Sequence, residues 1–205
     1  MMSIVVAQNT KTKERALLRS PLTLLSVAVM VCGLVLFGQG LWIHAKAYAA
    51  QILLERAFTQ SIASGNKVKP WSWADTWPVA RIEAPRLAAS AIALNGASGQ
   101  ALAFGPGHLQ NTPKAGETGT AVYAAHRDTH FAFLKDVEKG DLIRITRDDG
   151  KIFTYRATQM TVTRWDEAQI DIHASGSNLV LATCYPFDAV TQGPLRYLVY
   201  AELEE

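Results

Sequence analysis

The sequence predicts an all-β domain of about eight short strands, a sandwich or a barrel, preceded by one transmembrane helix. Three observations carry that expectation. From Pro21 to Ile43 no side chain is charged, and a helix needs about 20 such residues to cross the hydrocarbon of a bilayer. From Val79 onward the chain breaks into short apolar and β-branched runs separated by turn residues, which is the texture of strands. Between two of those runs stands Asp148-Asp149-Gly150, a turn that makes them a hairpin.

Composition sets the outer limits. A chain of 205 residues with 49% apolar content has room for one domain plus a separate hydrophobic element, and is too apolar for a disordered segment. Lys and Arg number 20 against 18 Asp and Glu, a net charge of +2, so overall charge offers no argument for nucleic-acid binding.

Taken in order, the first 20 residues read as a cytoplasmic tail. Lys11, Lys13, Arg15 and Arg19 precede the apolar run, opposed only by Glu14, and the positive-inside bias puts them in the cytoplasm and everything after Ile43 outside. Residues 21–43 then form a signal anchor in contact with membrane lipid. Cleavage as a signal peptide at Ala47-Tyr48-Ala49 is the rival, but the apolar run exceeds the roughly 7–15 residues of a signal core. Gly33, Gly38 and Gly40 are tolerated within such a span. Ala45–Ser64 lacks Gly and Pro and repeats Ile52, Leu53, Leu54 and Phe58 at near-helical spacing, so a helical stalk continues the span until Gly65 and Pro70. Trp71, Trp73 and Trp77 mark a flap within residues 44–78, packed on the domain or resting at lipid headgroups rather than acting as a lid. Residues 79–205 form the β domain. Its strands are expected near Val79–Ala84, Ala91–Asn95, Ala101–Phe104, Thr120–His126, Asp141–Thr146, Lys151–Val162, Leu179–Cys184 and Leu195–Glu202. Phe131–Val137 reads as a helical turn, and Arg164–Ser177 as a long connection of the kind that shapes a site.

The two cysteines cannot pair, because Cys32 lies in the predicted span and Cys184 near the C-terminus. An unpaired thiol outside the cytoplasm is either buried and inert or chemically used. Cys184 ends the run Asn178–Cys184 and is followed by Tyr185-Pro186, so the strand stops at the cysteine and its sulfur sits at a rim, where a nucleophile needs to be. A thiol is a poor nucleophile until a base or cation favours its thiolate, and an amide's leaving amine must be protonated. Among the five histidines, His44 is at the membrane edge, His108 and His130 fall in loops, and His173 in the long connection. His126 alone closes a strand, Thr120–His126, as Cys184 does. Arg196 opens the last strand, and a hairpin over Tyr185–Pro194 returns it beside the cysteine. Alternation puts it on the face of Leu198 and Tyr200, where a fixed cation can hold an oxyanion or a substrate backbone.

Leu181-Ala182-Thr183-Cys184 followed by Arg196, with Ala125-His126-Arg127-Asp128 and then Phe133, Leu134, Gly140 and Asp141 upstream, resembles the sortase family over about Val79 to Leu203. The segments match that family's TLxTC strand, its histidine loop and its downstream arginine, with Val180 standing where the first threonine is usual. The resemblance implies a closed β-barrel with short helices. It implies a cysteine transpeptidase in which Cys184 is the nucleophile, His126 the acid and base, Arg196 the substrate or oxyanion ligand, and Thr183 a substrate-positioning neighbour. The reaction so implied cuts an LPXTG-like C-terminal sorting signal of a protein substrate through a Cys184 thioester and passes the acyl group to an amine. No cofactor is expected, no match to the calcium-binding constellation of some class A members is present, and neither is a pilin-type lid motif. The anchor and short C-terminus are similar to those of the small Gram-negative-type members. Two rivals keep a place: a membrane-tethered β-barrel that only binds a partner, and an L,D-transpeptidase-like wall enzyme, whose Ser-His-Gly-Cys segment is not matched by the residues before Cys184.

Overall fold

The uncharged run coils into one helix, α1 (Pro21–Ser64), whose apolar part has a mean hydropathy of 2.3 and is long and apolar enough to cross a membrane. The computed structural model describes residues 21–191 and 193–204; the basic cluster Lys11, Lys13, Arg15 and Arg19 lies outside them. Gly65, at φ +68°, ends the helix by returning its N–H to the carbonyl of Ser61 at 2.9 Å, a left-handed cap that favours glycine. The described residues fall into two compact units, divided between Ala49 and Ala50. The first contributes the apolar part of α1, with Lys46 lying over the Trp42 ring.

In the second unit the stretch expected to be a stalk is in fact part of the domain. Leu54 and Phe58 are fully buried with Ile92, Leu94 and Ala101, and each such burial contributes roughly 1.5–3 kcal/mol. Gln51 Nε2 donates to the carbonyl of Phe104 at 2.8 Å, and Glu55 pairs with Arg81. The tryptophan segment is packed in the same way: Trp71 meets Phe104 edge-on at 4.9 Å, and Thr76 Oγ1 donates to the carbonyl of Asn95 at 2.9 Å. Lys67 covers Trp77, while Trp73 stays exposed.

Eight strands close a barrel in the order β1-β2-β3-β4-β7-β8-β6-β5. They are β1 (Pro78–Ala84), β2 (Ala89–Asn95), β3 (Gly107–His108), β4 (Gly119–Ala124), β5 (Leu142–Arg147), β6 (Ile152–Arg164), β7 (Ser177–Cys184) and β8 (Leu195–Leu203). Alternate residues fill the interior, among them Ile82, Tyr123, Ile143, Ile145, Tyr155, Leu179, Leu181 and Val199, as period-2 strands dictate. The β5–β6 hairpin turns at Gly150, φ +80°, as its sequence predicts.

The third strand is a correction. Ala101–Phe104 is not extended: Gly99–Leu102 forms one helical turn, α2, capped by Ser98 Oγ, which accepts from the N–H of Ala101 at 3.2 Å. A four-residue apolar run has no period of its own, and the serine cap decides it. The strand lies further on, where Gly107 approaches so closely that a Cβ would meet the carbonyl oxygen of Gly96 at 2.4 Å. His108, expected in a loop, therefore sits in β3, buried, with Nε2 2.9 Å from the carbonyl of Pro113. The expected helical turn at Phe131–Val137 is a 3-10 helix over Ala132–Asp136. His126 lies just beyond β4, which ends at Ala124.

Candidate active site at the ends of β4, β7 and β8

Pairing β4 with β7 in parallel register matches Val122 to Val180 and Ala124 to Ala182. The ladder runs one step further, the N–H of Ala125 donating to the carbonyl of Ala182 at 3.1 Å. His126 and Cys184 thus stand at the same offset beyond a matched pair. The antiparallel pairing of β7 with β8 then sets Cys184 opposite Arg196 and Ala182 opposite Leu198. Because side chains alternate across a sheet, His126, Cys184 and Arg196 extend the row of Ala124, Ala182 and Leu198 on the outer face of the barrel. That outer face is apolar: Val122, Val180 and Leu198 are buried there with Leu109, Ala168, Ile170, Ala182 and Tyr200 around them. Val180, standing where the family has threonine, is part of this packing.

The cleft over this row has a volume of about 320 Å³, and its lining includes all three chemistry-bearing side chains. Its other wall comes from the long β6–β7 connection, through Trp165, Ala168 and Ile170, as the length of that connection suggests. The connection is held at both ends. The N–H of Trp165 donates to the carbonyl of Pro194 at 2.8 Å, Thr120 Oγ1 donates to the carbonyl of Asp171 at 2.7 Å, and Gly119 leaves room for the Ile172 carbonyl that any Cβ would strike at 2.5 Å. Trp71, Trp73 and Trp77 do not line this cleft; Trp165 does.

Each member of the row has its own setting. Cys184 is half-buried and His126 exposed, and no hydrogen bond joins them among the described residues; such contacts often tighten only when substrate binds. Arg196 Nη1 donates to the carbonyls of Gly193 and Leu195, both at 2.9 Å. Its Nε and Nη2 have no protein partner among the described residues, so part of the guanidinium fork is available to a ligand. Thr183 faces the other way: it is 2% exposed, and its hydroxyl donates to the carbonyl of Ala125 at 2.7 Å. It braces the backbone that leads into His126.

Two neighbours carry signals that the sequence leaves unread. Burial holds the His130 imidazole pKa below its ordinary value, and the nearby His126 adds to that effect, so the charged form of His130 is disfavoured in the same loop. Arg127, quoted in the motif without a structural role, reaches across to the β7–β8 loop. Position relative to a strand end could not reveal either contact, because both depend on how two loops meet.

Comparison with known proteins agrees with this architecture. Residues 82–204 match the sortase domain family, and the chain belongs to the sortase family. Sortase D of Bacillus subtilis is 32% identical to it over 122 residues, which are 59% of this chain and 61% of that protein; the match thus spans less than two thirds of that relative's length. Among solved structures, a sortase D5 transpeptidase of Clostridium perfringens superposes with a TM-score of 0.62 at 20% identity, over 77% of this chain and 99% of that one. At that identity the likeness speaks for the fold. Sortase C-1 of Actinomyces oris superposes with a TM-score of 0.55 at 28% identity, over 62% of this chain and 75% of that one.

Proposed function

We propose that the protein is a membrane-anchored cysteine transpeptidase that cleaves an LPXTG-like sorting signal and transfers the acyl fragment to an amine. The observation that carries this reading is the row His126, Cys184 and Arg196, set side by side by the register of three neighbouring strands at the mouth of a largely apolar cleft. Family membership supports it.

In the mechanism, the Cys184 thiolate attacks the carbonyl carbon of the scissile peptide bond, and negative charge develops on its oxygen. The N–H groups of Arg196 that have no partner among the described residues stabilise that charge, or hold the neighbouring substrate carbonyl, by charge-assisted hydrogen bonds. As the tetrahedral centre collapses, the C–N bond breaks and His126 gives its proton to the departing amine, leaving a thioester. An incoming amine attacks the thioester carbon, the C–S bond breaks, the electron pair returns to sulfur, and His126 takes the proton from the new amide nitrogen. The apolar lining at Val122, Leu198, Ile170 and Trp165 suits the leucine and proline side chains of such a signal. Thr183 acts at one remove, by fixing the carbonyl of Ala125 and hence the start of the histidine loop. The proposed layout is a tail at residues 1–20 in the cytoplasm, an anchor at 21–43, a helix and tryptophan segment at 44–78, and a catalytic barrel at 79–205 outside, facing protein substrates with sorting signals.

Replacing Cys184 by alanine tests the reading. The side chain is small and stands at a rim, so the fold should be kept, while cleavage of an LPXTG-type peptide should vanish. Cleavage at the parental rate would mean that another group is the nucleophile.

A further inference from the structure

A second pocket, of about 370 Å³, shares only His126 and Cys184 with the apolar cleft and is otherwise lined by Arg127, Asp128, Thr129 and Val190. Its walls are two loops, the one that follows β4 and the one that joins β7 to β8. The histidine loop is closed on itself by the N–H of Phe131, which donates to the carbonyl of His126 at 3.1 Å, with Phe131 fully buried. On the other wall the side chain of Val190 is fully exposed, so its own packing cannot hold it in position. What holds that wall is Arg127. Its Nη2 donates to the carbonyls of Ala189 and Thr191, the latter at 2.9 Å, and so grips the backbone on both sides of Val190. Its Nη1 is buried and has no partner among the described residues, so that edge of the guanidinium is turned in between the loops. Arg127 is also bonded directly to His126, so the clamp begins at the residue that handles the proton.

We propose that Arg127 is a positioning residue that fixes the spacing of these two loops and thereby keeps the second pocket open for the acceptor, a primary amine at the end of a flexible chain. The inference rests on the transpeptidase reading above. The acyl fragment would occupy the apolar cleft, and an attacking amine must reach the thioester carbon beside both the sulfur and the imidazole. The second pocket touches both groups. Asp128 forms no ion pair among the described residues, so its carboxylate can draw the acceptor in as an ammonium group; solvent takes the proton that frees the nitrogen for attack, and His126 takes the second as the amide forms. Loss of the clamp should therefore affect the second half-reaction and spare the first.

The experiment uses the full chain in detergent with an LPXTG-type peptide and two acceptors of different demands. Hydroxylamine is small enough to reach any thioester, so its product reports acylation of Cys184, whereas triglycine must lodge in the pocket. Arg127→Gln and Arg127→Ala should keep hydroxylamine release within about twofold of the parent and lower triglycine transfer about tenfold, chiefly through KM for triglycine. Arg127→Lys, which can still reach one carbonyl, should recover part of the transfer. Val190→Trp leaves both backbone carbonyls to the clamp and fills the pocket from a fully exposed position, so it should lower triglycine transfer even if the arginine variants fail to fold. Parallel loss with both acceptors at an unchanged Tm, or an unchanged partition in all the variants that fold, overturns the inference while the transpeptidase reading stands. A parental chain that forms no thioester at all removes that reading, and the inference with it.

Discussion

Arg196 gives Nη1 to the carbonyls of Gly193 and Leu195, and its Nε and Nη2 have no protein partner among the described residues, so its proposed use to a substrate lies in a planar fork held at a fixed angle. Lysine retains the charge and loses the fork, because an ammonium on a flexible stem is a point charge. On the proposed mechanism Arg196→Lys lowers peptide turnover by roughly 10²-fold, the loss typical of one oxyanion donor. Labelling of Cys184 by iodoacetamide should persist in that variant, since the partner of the arginine is the substrate; unchanged turnover would make Arg196 an ordinary surface cation. At this scale the sequence told much about identity and little about direction. The strand-end position of Cys184 was legible because strands and turns leave local patterns, whereas His126, expected to close its strand, stands two residues beyond the end of β4. The inward turn of Thr183 was not legible, because which alternate face is the interior depends on the closure of the barrel. By strand alternation the Thr183 side chain follows Leu179 and Leu181 inward and that of Cys184 follows Ala182 outward, although both residues contribute to the wall of the cleft.

Among the elements, β3 departs furthest from the sequence-based expectation, and its chemistry has a measurable consequence. His108 lies in β3, with its Nε2 near the carbonyl of Pro113 and the hydroxyl of Thr112, and its ring 5.0 Å from that of Tyr123. Burial lowers its pKa, and the positive charge of Lys114 assists, while the Pro113 carbonyl and Glu117 oppose. A histidine whose folded pKa is depressed contributes stability that is fully present above its unfolded pKa, near 6.5, and lost as pH falls through that value towards the folded one. His130 has the same sign, through burial and then the neighbouring His126. The Tm of the chain should therefore fall as pH is taken from about 7.5 to about 5.5, and His108→Gln should flatten part of that slope, the remainder belonging to His130. A slope identical in parent and variant would contradict the account of β3. The strand escaped the sequence because it has two residues and takes its place from Gly107, whose need for close approach to Gly96 has no periodic signature. The parallel pairing of β4 with β7 is likewise invisible in local pattern, although it is what brings His126 level with Cys184.

For the whole molecule, the apolar helix and the eight-stranded barrel were both legible, one from an uncharged run and the other from strand texture and the family's motifs. The docking of Leu54 and Phe58 onto Ile92 and Leu94 was not, because near-helical spacing of apolar residues fits a stalk and a packed helix equally. The proposed orientation, barrel outside and N-terminus within, rests on the basic cluster before Pro21. Protease added to intact spheroplasts should digest the residues after Ile43, and protection until lysis would reverse the topology. The central claim is that a sorting peptide becomes covalently attached to Cys184, and intact-protein mass spectrometry tests it most directly. After brief mixing with an LPXTG-type peptide and acid quenching, the account predicts a mass increase equal to the acyl fragment up to the threonine, mapped by digestion to the peptide containing Cys184, removed by hydroxylamine, and missing from Cys184→Ala. An unmodified chain alongside cleaved peptide, or an adduct mapped to any residue other than Cys184, would contradict it.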